Sequence, residues 1–169
     1  MEKDYHTQRN FVFVSSRDRD VTVYPSPGNF KITLPQDGYT NVVSVELVAG
    51  TVPNQDGVTA DPYLLLDIDG LNHIRASNGC EYFSILSIHK GHSDSFFNMD
   101  RSSSAMMPHQ HYSVKQRLTS IHVKLTHPDG TPVDFGTDLL PLNQTDFTFE
   151  VKTRENDRKG FDKDFRKVF

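Results

Sequence analysis

The fold class is decided by the stretch Asn29-Phe30-Lys31-Ile32-Thr33-Leu34-Pro35 and by its sequel, Asn41-Val42-Val43-Ser44-Val45-Glu46-Leu47-Val48. In both segments, apolar side chains alternate with polar ones. Successive side chains of a strand point to opposite faces, so this alternation is typical of a strand with one buried face. The two segments therefore predict two half-buried β-strands.

The same alternation returns along the rest of the chain, and turn-forming residues separate the runs. The Pro-Ser-Pro-Gly-Asn sequence at residues 25–29 cannot lie inside a sheet, because its prolines lack N–H donors. Asp129-Gly130 suits a type I′ hairpin turn, and we expect Thr148 and Glu150 to point outward from the last strand. Roughly eight strands result, which predicts an all-β sandwich or jelly roll. The expected strands cover residues 11–14, 30–34, 43–47, 63–68, 83–88, 118–125 and 147–151, with weaker candidates at 21–24 and 112–114.

Composition bounds the class of protein. The 169 residues (19.2 kDa) suffice for one domain, which at this size buries about 70% of its unfolded surface. The net charge of -4 and the pI near 6.0 argue against a cationic nucleic-acid-binding surface. Cys80 is the single cysteine, which excludes an internal disulfide and is typical of a reducing compartment. No apolar run approaches the ~20 residues of a membrane span, and no signal-peptide core opens the chain, so we expect a soluble protein made inside the cell.

The chain divides into three parts by composition. An N-terminal arm precedes the β-domain, and a densely charged tail follows it. Three polar stretches within the domain are expected to be long loops, which in compact domains usually carry interactions. The arm is expected at residues 1–10, the β-domain at 11–151, the tail at 152–169, and the loops at 51–62, 89–110 and 132–146.

Apolar residues in the tail recur at helical spacing, with acidic residues early and basic residues late, as a helix dipole favours. This predicts a short amphipathic segment. Apolar surface is costly to leave in water, so the segment either closes the protein's own core or docks on a neighbouring subunit. The apolar residues are Phe161, Phe165, Val168 and Phe169.

Two blocks of the chain resemble a known family. The first runs from Ser15-Ser16-Arg17-Asp18-Arg19-Asp20 to Val52-Pro53-Asn54, and the second runs from Val123-Lys124-Leu125-Thr126-His127-Pro128-Asp129-Gly130 to Phe147-Thr148-Phe149-Glu150-Val151. Their order of strands and turns resembles the penton proteins, the small single jelly-roll capsid proteins at the fivefold vertices of nucleocytoplasmic large DNA viruses, phycodnavirus-like in type. The resemblance implies a single antiparallel eight-stranded jelly roll of two four-stranded sheets, with short N- and C-terminal extensions.

The same resemblance implies a structural role without a reaction or a cofactor. Five copies would form a homo-pentamer at a vertex, in contact with neighbouring major capsid protein capsomers and minor capsid proteins. The protein would lie in the virion after synthesis and assembly in the host cell cytoplasm, with no direct nucleic-acid contact and no membrane span. A minor capsid role, or a vertex spike or host-attachment role, remains the alternative, and would show as a trimer or as carbohydrate binding.

Two sets of residues are candidates for a subunit interface. Arg17-Asp18-Arg19-Asp20 alternates in charge directly after a strand. If it is extended, both arginines share one face and could set register by charge complementarity; a solvated turn with weak ion pairs is the other interpretation. The second set is the apolar side of the tail. The interface candidates are Arg17, Arg19, Phe161, Phe165, Val168 and Phe169.

A metal site of cupin type is one chemical alternative. His109-Gln110-His111 forms the H-x-H pair that cupin barrels use, with His122 or His127 as a late ligand. The position of the cupin glutamate is filled by residues 113–115 (Ser-Val-Lys), and the flanking glycines are missing. We therefore predict no metal site, with a cupin-like metal-binding enzyme kept as an alternative function.

Catalytic residues are not predicted either. Asp67 and Asp69 could bind a cation, but a D-x-D-G sequence is also typical of a strand exit. Cys80 follows Asn78-Gly79 without a motif that would place a histidine against it. The sequence therefore predicts a protein that is not an enzyme.

Overall fold

The structure is a computed structural model, which describes residues 6–88, 95–100, 109–111 and 116–155. These residues form β-strands joined by turns and short 3-10 segments, and no α-helix occurs among them. Within the same residues, no helix is long and apolar enough to cross a membrane. The strands form two antiparallel sheets, one with five strands in four positions and one with four strands, and a two-stranded hairpin. The all-β class predicted from the alternating segments is confirmed.

The first sheet is built from β1 (Thr7–Ser15), β3 (Val42–Pro53), β8 (Phe96–Asp100), β9 (His109–His111) and β11 (Asp146–Arg154). Its order is β1-β11-β3-β8, and all neighbours are antiparallel. β8 and β9 pair with the same edge of β3, at different points along that strand. Together they fill one edge position of the sheet. β1 begins before the predicted domain boundary at residue 11, and β11 ends beyond the boundary at residue 151.

The second sheet is built from β2 (Asn29–Thr33), β4 (Tyr63–Ile68), β7 (Ser84–Ser87) and β10 (Ser120–Thr126). Its order is β2-β10-β4-β7, again antiparallel throughout. A hairpin of β5 (Ile74–Arg75) and β6 (Glu81–Tyr82) precedes β7.

The core lies between the inner faces of the two sheets. Phe147 and Phe149 point inward from β11 and are fully buried, and the ring of Phe149 meets that of Phe83 edge-on with 5.9 Å between centroids. Burying one such side chain stabilises the fold by ~1.5–3 kcal/mol. A Cβ atom on Gly50 of β3 would lie 2.9 Å from the ring of Phe147, so the approach of these strands depends on glycine at that position.

Most predicted strands are confirmed, and the exceptions have local reasons. Residues 21–24 form a turn instead of a strand, because the N–H groups of Val23 and Tyr24 both bond to the carbonyl of Asp20. The predicted loop at residues 89–110 contains β8 and the start of β9, and the predicted loop at 51–62 begins later because β3 continues to Pro53. The weak candidate at residues 112–114 lies outside the described residues.

The predicted type I′ turn at Asp129-Gly130 is wrong. Only Gly130 has a positive φ, of 87°, whereas a type I′ turn needs positive φ at both central residues. The N–H of Gly130 bonds to the carbonyl of His127 at 2.9 Å, and the Asp129 carboxylate accepts from the N–H of Thr131 at 2.9 Å. This is the longer hairpin turn in which a left-handed glycine follows a type I turn.

Candidate assembly surface

Three loops converge at one end of the sandwich, and we call this surface the loop end. Strand register brings them together, because Asp146 at the start of β11 pairs with Ser15 on one side and with Thr51 on the other. The end of β1, the start of β11 and the end of β3 therefore lie side by side. The loop end consists of residues 16–28, 54–62 and 127–145.

A buried arginine organises the first loop. Arg19 follows a 3-10 turn, Ser16–Asp18, whose N-cap Ser15 accepts from the N–H of Arg17. The turn directs the Arg19 side chain inward, where the residue is only 5% exposed. Its guanidinium donates to the carbonyls of Ser16 at 2.7 Å and Tyr24 at 2.9 Å. Arg19 therefore closes its own loop.

The same guanidinium reaches the loop that precedes β11. It donates to the side-chain oxygen of Gln144 at 2.8 Å and to the carbonyl of Asp138 at 3.1 Å. Burial lowers the pKa of Arg19, while the nearby Asp138 acts in the opposite direction. An arginine remains charged at neutral pH, so one buried cation joins two loops through five donors in a fixed geometry.

Gln144 completes the connection. Its oxygen accepts from the hydroxyl of Ser16 at 2.8 Å as well as from Arg19, and its amide donates to the carbonyls of Asp138 at 3.1 Å and Leu140 at 3.0 Å. The Ser16 hydroxyl also accepts from the N–H of Thr145 at 2.9 Å. Buried polar groups are expected to be paired in this way, and Gln144 is only 2% exposed. The two loops are therefore joined by one network of hydrogen bonds between buried polar groups.

Of the two interpretations of the Arg17-Asp18-Arg19-Asp20 segment, the structure agrees with the turn and not with the extended form. Ser16–Asp18 is a 3-10 turn, which leaves Arg17 at the surface and places Arg19 inside. The surface placement expected for Arg19 is corrected, because its donors serve its own chain. An interface role for Arg17 stays a prediction. The tail candidates, Phe161, Phe165, Val168 and Phe169, lie outside the described residues.

The loop after β3 is tied to the loop before β11 by side chains. Gln55 donates to the side-chain oxygen of Asn143 at 2.6 Å. The Asp56 carboxylate accepts from the N–H of Asp134 at 2.8 Å, and this bond is the largest cause of the lowered pKa of Asp56. Asp56 has a positive φ of 53°, a conformation that aspartate tolerates better than most residues. These hydrogen bonds connect the third loop, residues 54–62, to the loop that precedes β11.

His127 connects these loops at the base of the β10 turn. Its Nδ1 lies 2.5 Å from the Asp61 carboxylate and its Nε2 lies 3.1 Å from the Asp56 carboxylate. Burial works to lower the pKa of His127, but the hydrogen bonds and charges of Asp61 and Asp56 outweigh it, so that pKa is raised. Protonated His127 donates to both carboxylates, and it then acts as a cationic link between the loops.

Exposed aliphatic side chains lie on two of these loops, and we call them the apolar rim. The Arg19 guanidinium donates to the carbonyl of Tyr24, directly after the turn that carries Val21 and Val23, and to the carbonyl of Asp138, directly before the leucines. The Asp138 side chain accepts from the N–H of Leu140 at 3.0 Å and from the amide of Asn143 at 2.8 Å, which shapes the leucine segment. The rim consists of Val21 (40% exposed), Val23 (61%), Leu139 (51%), Leu140 (59%) and Leu142 (55%).

A second polar cluster lies on the outer face of the second sheet. Asp69 accepts from Lys124 at 2.8 Å and faces His122 Nδ1 at 2.7 Å, and the hydrogen bond from Lys124 is the largest cause of its lowered pKa. Asp67 accepts from the amide of Asn72 at 2.8 Å. These bonds agree with the strand-exit interpretation of the D-x-D pair.

The sequence also raised a cupin-type metal site and a reactive thiol at Cys80 as alternatives. Across residues 6–88, 95–100 and 116–155, no group of three or more His, Cys, Asp or Glu side chains is arranged to hold a metal ion. The backbone places His109 and His111 in β9, but their side chains lie outside the described part. Cys80 is exposed in the turn before β6, where Asn78 accepts its N–H at 3.0 Å.

The comparisons with known proteins do not identify a family. No protein-family model matches the chain, and no curated protein sequence matches it. The sequence predicted interaction-bearing loops at residues 51–62 and 132–146 and named Arg17, Arg19 and His127 as candidates, but it did not indicate that these loops meet or that Gln144 joins them. A signal for this surface was present in the sequence, because apolar residues clustered in a long loop are unusual unless a partner covers them. The residues are Leu139, Leu140 and Leu142.

Proposed function

We propose that this chain is a structural capsid protein, the penton subunit that forms pentamers at the fivefold vertices of a large icosahedral DNA virus. The proposal includes a single jelly roll as the fold. Strand order supports it, because β1, β3, β8 and β11 form one sheet and β2, β4, β7 and β10 form the other. When the β5–β6 hairpin and the short β9 are set aside, successive strands cross between the sheets except from β4 to β7, as two interlocked Greek keys require.

The observation that carries the proposed role is an apolar rim on loops that are already fixed. Arg19, Gln144 and His127 hold the loops in place before any partner arrives. Association loses free energy when interface loops must be ordered, so a fixed surface binds more tightly for the same area. The rim itself supplies apolar surface at ~25 cal/mol per Å² buried. The loop end is therefore suited to protein contact.

Five copies would close a ring through one repeated contact. In a cyclic oligomer, each interface joins two different patches, and the rotation between them sets the number of copies. We assign the apolar rim to one of these patches. The larger capsomers and the minor capsid proteins around the vertex are the further partners, and the virion, assembled in the host cytoplasm, is the proposed location. The proposal assigns no reaction, cofactor or nucleic-acid contact.

The mass of the protein in solution tests this role. We expect light scattering across a concentration series to show a pentamer for the parent chain. The variant Leu139→Gln/Leu140→Gln/Leu142→Gln removes the larger part of the apolar rim and should remain monomeric with an unchanged melting temperature, because these side chains are exposed. Ile85→Thr is the matched control, since Ile85 is also exposed but lies on β7, and it should assemble like the parent.

Three other results would count against the proposal. A trimer would favour the minor capsid, spike or host-attachment role. A parent chain that stays monomeric at every concentration would contradict ring closure through the loop end. A pentamer that persists in the triple-leucine variant would place the contact elsewhere.

A further inference from the structure

Two phenylalanines stand exposed side by side on the outer face of β1, and we call them the phenylalanine face. Phe11 is 60% exposed and Phe13 is 64% exposed, while Val12 and Val14 point into the core. Residues two apart on a strand share a face and lie ~6.7 Å apart, so the two rings form one apolar patch. Phe13 lies two residues before Ser15, the N-cap of the turn that opens the loop end.

The surroundings of the phenylalanine face carry a neutralised charge pair. Glu150 of β11 lies opposite Phe11 in the register, and Arg9 donates to both of its carboxylate oxygens, at 2.8 and 2.9 Å. Glu150 points away from the core as predicted, yet it is 1% exposed. The Arg9 guanidinium also lies 5.9 Å from the centre of the Phe11 ring. The surface beside the two rings is therefore compatible with an apolar partner.

The backbone beside the two rings is open to a partner as well. At the end of β1, the N–H of Ser16 bonds to the carbonyl of Thr145, and the register between β1 and β11 continues without a shift. Residues of an antiparallel strand alternate between facing one neighbour and facing the other, so the N–H and C=O groups of Phe11 and Phe13 point away from β11. Among the described strands, none pairs with this edge of β1. The phenylalanine face thus combines apolar rings with backbone groups that a partner can bond.

We propose that the phenylalanine face of one copy receives the apolar rim of the next copy in the ring. This inference rests on the proposed function, in which the rim is one of two patches that meet in each contact. The two patches of a cyclic contact must not overlap and must point in different directions. The rim lies on loops beyond the strand ends, whereas the side chains of β1 stand roughly perpendicular to the sheet. The two surfaces meet this requirement.

Exposure identifies the phenylalanine face as the second patch. In the part of the chain that the structure describes, the exposed large hydrophobic side chains are the five of the rim, the two phenylalanines and Ile85. Ile85 stands alone on β7, in the other sheet. The centre of an interface is apolar and well packed, and its border is polar. Of the described surfaces outside the rim, the phenylalanine face alone offers neighbouring apolar side chains for such a centre.

The size of the patch suits the centre of an interface. A phenylalanine side chain buries ~150–250 Å² in full, so the two rings, 60% and 64% exposed, offer roughly 200–300 Å² to a partner. A standard interface covers ~800 Å² on each side, of which more than half is apolar. The two rings can therefore form the apolar centre on one side, with Arg9 and the open edge of β1 in the polar border.

Mixing two variants tests this contact. Phe11→Thr/Phe13→Thr removes the phenylalanine face, while threonine keeps the strand propensity, and a melting curve near that of the parent verifies the fold. We expect light scattering to show a monomer at concentrations where the parent forms a pentamer. An equimolar mixture with Leu139→Gln/Leu140→Gln/Leu142→Gln, at the highest concentration of the series, should give a dimer. One intact rim then meets one intact phenylalanine face, and the ring cannot continue.

A single tryptophan reports the same contact, because the chain contains none. In Phe13→Trp, we expect the fluorescence to move to a shorter wavelength, typical of a buried indole, as the concentration rises and the ring forms. The same substitution in the triple-leucine variant should keep the emission of a solvated indole at every concentration. Ile85→Trp is the matched control, and its emission should not change on assembly because Ile85 lies on β7, outside both patches.

A wrong second patch and a wrong function give different results. A parent pentamer that persists in Phe11→Thr/Phe13→Thr would overturn the inference and leave the pentamer in place. Solvated emission from Phe13→Trp within the pentamer would do the same. A mixture of the two variants that stays monomeric would show that the rim and the phenylalanine face do not meet. A parent chain that is monomeric at every concentration would overturn both the inference and the proposed function.

Discussion

Two polar regions of this protein have similar hydrogen-bond lengths, but one is buried and the other is exposed to water. At the loop end, Arg19 donates at 2.7–2.9 Å to its nearest partners and is 5% exposed. On the outer face of the second sheet, Asp69 meets Lys124 and His122 at 2.7–2.8 Å, but its side chain is 53% exposed. Distances alone do not distinguish the two regions.

Their energetic roles differ because water can replace the partners in one region and not in the other. Removing a donor from a buried network leaves acceptors unsatisfied, which costs about 1–3 kcal/mol per group. Breaking an exposed ion pair costs about 0–1 kcal/mol, since both charges return to water. The loop end should therefore depend on Arg19, while the outer cluster should contribute little to folding. Three substitutions measure this difference.

The largest effect is expected from Arg19→Ala. The change leaves the carbonyls of Ser16, Tyr24 and Asp138 without their charged donor, so we expect a loss of roughly 3–5 kcal/mol in the free energy of unfolding. Urea denaturation in the Leu139→Gln/Leu140→Gln/Leu142→Gln background, which is expected to be monomeric, measures it. Arg17→Ala is the matched control two residues away; its side chain is exposed, and the change should stay within about 0.5 kcal/mol.

A comparable cost for the two alanine variants would contradict the role given to Arg19. Arg19→Lys sharpens the test, because lysine keeps the charge but lacks the planar fork that reaches several carbonyls at once. We expect its stability to lie between those of the parent and Arg19→Ala.

The strands could be predicted because alternation and burial are local properties of the sequence. Tyr63–Ile68 was expected at the bounds it has, and the strand of Phe147 and Phe149 was found by its inward aromatics. β8 was missed because only Phe97 and Met99 point inward and the sequence on both sides of it is polar. The turn at Gly130 was misassigned because turn types with similar residues differ only in φ at one position.

The loop end could not be predicted because it depends on contacts between residues distant in sequence. Arg19 and Gln144 meet only because β1 and β11 are neighbours in the sheet. Charge alternation at Arg17 and Arg19 left an extended segment and a solvated turn open, and neither predicts that the 3-10 turn directs Arg19 into the interior. Likewise, nothing in the sequence near His127 indicates that Asp61 and Asp56 would approach it.

A pH-dependent effect of intermediate size is expected at His127. Its folded-state pKa is raised, so its contribution to stability is complete below the unfolded pKa of about 6.5 and is lost as pH rises through the folded value. The pKa of Asp56 is lowered, so the contribution of that carboxylate disappears only in acid. We expect the parent to lose stability relative to His127→Gln as the pH rises above about 6.5, because the proton that links His127 to the two carboxylates is then released.

Urea unfolding at several pH values measures this difference. The groups around the ring are the carboxylates of Asp61 and Asp56, with Asp129 nearby in the turn. His122→Gln is the control, because the His122 side chain is about as buried as that of His127 (17% against 16% exposed) but lies outside the loop end. Parallel pH profiles for the parent and His127→Gln would contradict a cationic link between the loops.

The smallest effect is expected from Asp69→Asn in the exposed cluster. The change removes the ion pair with Lys124, and because the carboxylate is half exposed, we expect a loss below about 1 kcal/mol in the free energy of unfolding. The loss should shrink further at ~1 M salt, where charges are screened within ~3 Å, whereas the loss in Arg19→Ala should persist because that guanidinium is buried. If Asp69→Asn instead destabilised the protein as strongly as Arg19→Ala at both salt concentrations, burial would not be what separates the two regions.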